Sequence, residues 1–160
     1  MRVTIFAVGR MKPGPETDLV SRYLDRFAKS GRSLGLDYGG LVETPESRAR
    51  SAESRKSEEG ARCADTLDSR SILVLLDERG KSPSSREFAQ TVERFRDDGV
   101  GQLVFALGGP DGHAASLRDR ANWVVSLGNQ TWPHQLARIM LAEQLYRAAT
   151  ILAGHPYHRD

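Results

Sequence analysis

One cysteine, Cys63, stands in 160 residues, and a lone thiol cannot close an internal disulfide. That excludes a disulfide-built secreted fold and a thiolate zinc site. Long apolar runs are missing too. The opening one, Val3 to Val8, is far too short for a membrane span or a signal-peptide core, and Arg10 and Lys12 follow at once. Charge of one sign is also scarce: 23 Lys and Arg against 21 Asp and Glu leave a net +2, so overall charge does not announce a nucleic-acid binder. Hydrophobic residues reach 39%, below the globular norm of roughly 45–50%. These bounds fit a single domain over residues 1–160, with a real core, a generous polar surface, no membrane partner and a cytoplasmic setting.

What is present alternates between strand and helix patterns. Residues 2–8, RVTIFAV, read as a strand, and Leu19, Val20, Tyr23, Leu24 and Phe27 recur at helical spacing over residues 16–28. Residues 34–43 form a Gly-interrupted strand candidate. Residues 46–70 are about half charged; they read as a solvated helix interrupted near Gly60, or as local disorder. SILVLL (residues 71–76) is a short apolar run of the kind buried on both faces of a sheet. Ser82 is a candidate helix cap with Pro83 in the first position. Residues 102–107 and 122–127 supply two further strands, and a helix runs from Pro133 to about Ala153, stopped by Gly154 and Pro156. The expectation is an α/β fold with a mainly parallel sheet flanked by helices.

Two phosphate-binding motifs fail. Gly80-Lys81-Ser82 resembles the end of a P-loop, but the required first glycine falls on Leu75, inside a strand. Gly99-Val100-Gly101 meets Val104 where a dinucleotide fingerprint needs its third glycine. The histidines show no metal-ligand spacing, so no metal is expected.

Three loops leave carboxyl ends of strands, where parallel sheets bind ligands: LDERGK after Leu76, GGPDG after Leu107 and LGNQTWP after Ser126. None carries the ring of cations a triphosphate needs. Backbone amides and apolar walls suit a neutral or cationic adenine-bearing ligand better. In the last helix, Arg138 falls between two adjacent apolar stripes. It either emerges into a site, or meets an acid or a nucleic-acid phosphate across an interface, or reaches water from the first turn. The apolar arc is wider than one sheet needs, which points to a homodimer. Beyond this helix, GHPYHRD concentrates two histidines, a tyrosine and an arginine in residues 154–160.

PHQLARIMLAEQLYRA (residues 133–148), LGGPDG (107–112) and HPYHR (155–159) together resemble the ribosomal RNA large subunit methyltransferase H family, a minimal branch of the SPOUT superfamily. The likeness spans essentially the whole chain, from VTIFAVGRMK through LDERGKSPSS to the closing segment. It implies a SPOUT-type fold whose C-terminal part, about residues 71–160, forms a deep trefoil knot holding S-adenosylmethionine. It also implies a homodimer that methylates N3 of a pseudouridine in helix 69 of large-subunit rRNA, without an appended RNA-binding domain. Carried over residue by residue, the donor contacts fall on Leu76, Gly108, Leu127, Gly128, Asn129, Gln130, Thr131 and Trp132. For proton removal the candidates are His158 as base, Arg159 or Arg138 as anion stabiliser, and Tyr157 to stack on or hydrogen-bond the base. Asp111 stands where relatives often have Glu. The competing class is a non-catalytic ribosome- or RNA-binding factor with the same fold.

Overall fold

A computed structural model describes residues 1–159; Asp160, the last residue of the expected tail, lies outside the described residues. The elements follow in the order β1 (Arg2–Val8), α1 (Pro15–Arg32), β2 (Asp37–Thr44), α2 (Ala52–Ala64), β3 (Ser71–Lys81), α3 (Ser85–Asp97), β4 (Gln102–Leu107), α4 (Ala115–Arg120), β5 (Trp123–Val125) and α5 (His134–Leu152). Five strands form one sheet in the order β2-β1-β4-β3-β5, and every pairing is parallel.

The side-chain period of two sorts the strand residues between two cores. Val3, Ile5, Ala7, Val74, Leu103, Phe105 and Leu107 face α1, α3 and α5. Phe6, Val8, Leu73, Leu75, Val104 and Ala106 face Cys63 of α2 and Leu117 of α4. Burial on both faces explains why β3 and β4 read as unbroken apolar runs. It also pushes the Cys63 thiol up to about 12, so this cysteine is a packing group.

Three local expectations are corrected. The cap of α3 is Ser84, not Ser82: the Ser84 hydroxyl accepts from the Glu87 amide, and the Glu87 carboxylate accepts from the Ser84 amide. Within the charged segment one helix, α2, runs through Gly60 without interruption, and Gly60 packs next to Ala114 and Leu117. Strand β3 continues through the charged residues to Lys81, since Val125 pairs with Leu76 and again with Lys81. Residues 77–80 therefore form an arch with both feet on β5. Gly80 lies so close to it that a Cβ would come 2.6 Å from the Val124 carbonyl oxygen. The short helix α4 had no visible sequence signature.

Candidate active site

The carboxyl ends of β3, β4 and β5 open into a cavity of 260 Å³. Its walls include Leu76, Gly108, Leu127, Gly128, Gln130, Thr131 and Trp132, seven of the eight residues expected to contact a donor. Asn129 is exposed and is not among the walls. Gly128 has φ 110° and Gly112 φ 79°, conformations that favour glycine. At Gly108 a Cβ would come 3.0 Å from the Gly112 carbonyl carbon, so the loop closes on itself only because that side chain is absent.

Several wall residues were not singled out from the sequence: Asp77, His113, Arg118 and His134. Asp77 is nearly enclosed, its side chain 6% exposed, and Arg118 Nε donates to it at 3.0 Å. Burial alone would raise the Asp77 carboxyl. The Arg79 amide and the Arg118 guanidinium outweigh it and hold the group below the ordinary carboxylate range. The cavity wall thus carries an ionised carboxylate already paired with a guanidinium, set beside apolar residues. His113 is buried and its Nε2 donates to the Leu76 carbonyl at 3.0 Å, which fixes the orientation of that peptide. Burial lowers the His113 pKa, so the ring is neutral at pH 7. Asp77 following an apolar strand, and His113 following GGPDG, were the available signals.

The GGPDG loop is braced from α2. Arg55 grips Asp111 with two parallel bonds, Nε to Oδ2 at 2.7 Å and Nη2 to Oδ1 at 3.1 Å. Glu59, 5% exposed, packs so tightly under Gly109 that a Cβ there would lie 2.7 Å from its Oε2. The segment that read as a solvated face is therefore a support for the cavity wall.

A family model described as "Predicted SPOUT methyltransferase" matches residues 1–158. The chain belongs to the SPOUT methyltransferase family. It is 62% identical over 160 residues to a Brucella anthropi protein named ribosomal RNA large subunit methyltransferase H, with both chains fully covered. A Brucella abortus protein of the same name is 59% identical over 169 residues, again with full coverage of both. Among solved structures, a probable methyltransferase from Bordetella pertussis superposes with TM-score 0.53 at 16% identity, covering 92% of this chain and 95% of that one. A probable methylase family protein from Haemophilus influenzae gives 0.51 at 13% identity, covering 99% and 70%. At such identities these two structures speak for the fold alone.

The other residues expected to act in this methyltransferase lie elsewhere. Arg138 is not among the walls of the cavity. It is 2% exposed, paired with Glu43 at the end of β2, and its Nη2 donates to the carbonyls of Val8 at 3.2 Å and Gly9 at 3.0 Å. The expected acid exists, but within the same chain, and Arg138 ties the start of α5 to the ends of β1 and β2. Tyr157 and His158 fold back onto α5. The Tyr157 hydroxyl donates to Glu143 Oε1 at 3.0 Å, its ring lies 4.7 Å from that of Tyr146, and Arg147 sits 4.9 Å above it. Burial first, then Tyr23 and Glu143, drive the Tyr157 pKa well up. Arg147 Nη1 lies 3.2 Å from His158 Nδ1, and Arg159 is exposed. None of the three tail residues is among the walls of the chain's own cavity.

Proposed function

We propose that this chain transfers the methyl group of S-adenosylmethionine to N3 of a pseudouridine in helix 69 of large-subunit rRNA, acting as a homodimer on the assembled ribosome or large subunit in the cytoplasm. The carrying observation is the cavity at the carboxyl edge of the sheet, walled by seven of the eight residues expected from the sequence to contact the donor, in a chain 62% identical to a protein named ribosomal RNA large subunit methyltransferase H. Among the described residues no helix is long and apolar enough to cross a membrane.

The residues fit such a ligand. A volume of 260 Å³ approaches the ~300 Å³ lower bound of small-molecule pockets. Leu76, Leu107, Val125 and Leu127 offer apolar walls, and the glycine turns expose backbone. Bound S-adenosylmethionine supplies a methyl group on positively charged sulfur that needs no further activation. The chain's remaining task is to align the nucleobase and remove its N3 proton. If that proton titrates two units above neutral, its removal costs about 2.7 kcal/mol. His158 is the proposed base, Arg159 the cation for the developing anion, and Tyr157 the group that holds the base ring.

As folded, His158 Nδ1 accepts from Arg147, which assigns the ring proton to Nε2 and leaves no lone pair for catalysis. The tail therefore has to leave α5 before His158 can act. A dimer gives it a destination, the partner's cavity. A second hollow of 450 Å³, lined by Leu19, Tyr23, Phe88, Ile139 and Met140, adjoins the tail and supports a second copy docking there. The test is labelled methyl transfer to large subunits from cells lacking this protein. Label at a single pseudouridine of helix 69 is expected, and it should vanish when residues 156–160 are deleted while donor binding persists. Ribosome binding without transfer would favour the non-catalytic factor.

A further inference from the structure

The segment between β2 and α2, residues 45–51, has no regular secondary structure, yet its backbone is fixed bond by bond. The Ser47 amide donates to Glu59 Oε1 at 2.8 Å, and the Ser47 hydroxyl donates to Glu58 Oε2 at 2.5 Å and accepts from the Ala49 amide at 3.1 Å. Arg55 Nη1 donates to the carbonyls of Ala49 at 3.1 Å and Arg50 at 3.4 Å, and Arg62 Nη1 to that of Pro45 at 2.8 Å. Helix α2 supplies four of its side chains to hold one short loop. Out of that loop project Arg48 and Arg50, both exposed, and neither forms an ion pair among the described residues.

The adjacent loop repeats the pattern. Strands β1 and β2 end side by side, with Val8 opposite Thr44 and the Gly9 amide donating to the Thr44 carbonyl at 2.8 Å. The chain leaving β1 exposes Arg10 and Lys12, also without ion pairs among the described residues. Glu46 offsets one of these four charges. On the other flank of the cavity Arg118 is committed to Asp77, while Arg79, next to Glu78, and Lys81 are exposed. The cationic loops above β1 and β2 thus share the carboxyl edge of the sheet with the cavity. Through Arg55, which holds both Ala49 and Asp111, the cationic loop and the cavity wall share one clamp.

We propose that residues 45–51 form a preorganised arm that grips the RNA substrate's phosphate backbone through Arg48 and Arg50, with Arg10 and Lys12 extending the track. A connector needs no such fixing. A loop that binds a polyanion gains from it, because its ordering cost is met before the partner arrives. Contacts of this kind position the backbone and leave base choice to the cavity. The proposal rests on the methyltransferase reading, since that reading brings RNA to the mouth of the cavity.

The test uses the full chain, large subunits and S-adenosylmethionine, with wild type measured first. Failure of wild type to bind donor or transfer methyl would sink the functional reading before any variant is compared. With wild type active, Arg48→Gln/Arg50→Gln should raise the KM for subunits about tenfold at moderate salt and flatten its logarithmic salt dependence by about two. Turnover at saturation and donor Kd should not change. Arg48→Glu/Arg50→Glu should act in the same direction and further. Lys29→Gln/Arg70→Gln, on the opposite edge of the sheet, should behave as wild type. Unchanged KM and slope would overturn the arm. A raised KM with unaltered salt slope would mean a protein face, not phosphate, meets these residues, and a loss confined to donor affinity would also overturn it.

Discussion

On one face of the sheet α1, α3 and α5 lock together through Phe27, Phe88, Phe105, Leu141 and Leu145; on the other, α2 and α4 reach it mainly through Cys63, Ala114 and Leu117. The first face is held by volume. The second is held by directed bonds: Arg55 to Asp111, Glu59 to Ser47 and Arg62 to Pro45. Apolar packing is non-directional and scales with area, so it stabilises the fold without fixing a loop to a fraction of an ångström. Bidentate ion pairs do the reverse. Each surface pair adds little stability, but its geometry is specific. The oily face should therefore govern whether the protein folds, and the polar face whether the folded protein binds its donor.

The sharpest way to break the first half of this comparison is Phe105→Ala. Phe105 is fully buried at the centre of β4 and stacks on Phe88 at 5.7 Å. Losing the ring should cost about 3–5 kcal/mol, measured as a fall in urea midpoint with unchanged slope. Donor affinity of the fraction that stays folded should be near wild type. A stable Phe105→Ala protein that has lost its donor would reverse the assignment of roles.

The second half predicts a smaller and different effect. Arg55→Met should leave the thermal midpoint almost unmoved, since both partners of the Asp111 pair are partly exposed, with side chains at 31% and 25%. It should weaken S-adenosylmethionine binding five- to tenfold, an order-of-magnitude expectation for freeing a wall that a charge-assisted pair had positioned. Asp111→Asn should do the same, and the double variant should lose no more than either single one. Additive losses would mean that the two residues act separately. Arg55→Lys keeps the charge but not the fork and should recover only part of the affinity.

This division also explains what could be read from the amino-acid pattern. Strands β3 and β4 and helix α5 declared themselves because apolar periodicity follows the packing of the oily face. Glycine-rich loops at strand ends marked the cavity for the same reason, since parallel sheets open there. Helix α2 read as a solvated helix, but its supporting role did not show, because that work is done by long side chains bonding to loops outside the helix. Arg55 and Asp111 are 56 residues apart, and Arg138 and Glu43 are 95. No local period reports such pairings. Helix α4, with six residues, was too short for its periodicity to register.

The finest test of the comparison is a pH profile. His113 joins the polar side to the cavity by donating to the Leu76 carbonyl, and burial holds its pKa below the ordinary ~6.5. As pH falls from 7.5 through that ordinary value, the unfolded chain takes up a proton that the folded chain refuses. Stability is therefore full above the unfolded pKa and drains away as pH drops toward the depressed folded value. His113→Gln keeps a donor for Leu76 but cannot titrate, so its stability curve between pH 7.5 and 5 should be flatter than wild type by less than one proton. Donor affinity should follow neither curve, because Nε2 donates whether the ring is neutral or charged. Parallel stability curves would mean that the buried ring titrates as freely as in the unfolded chain, and the loop that carries it would then be open to water.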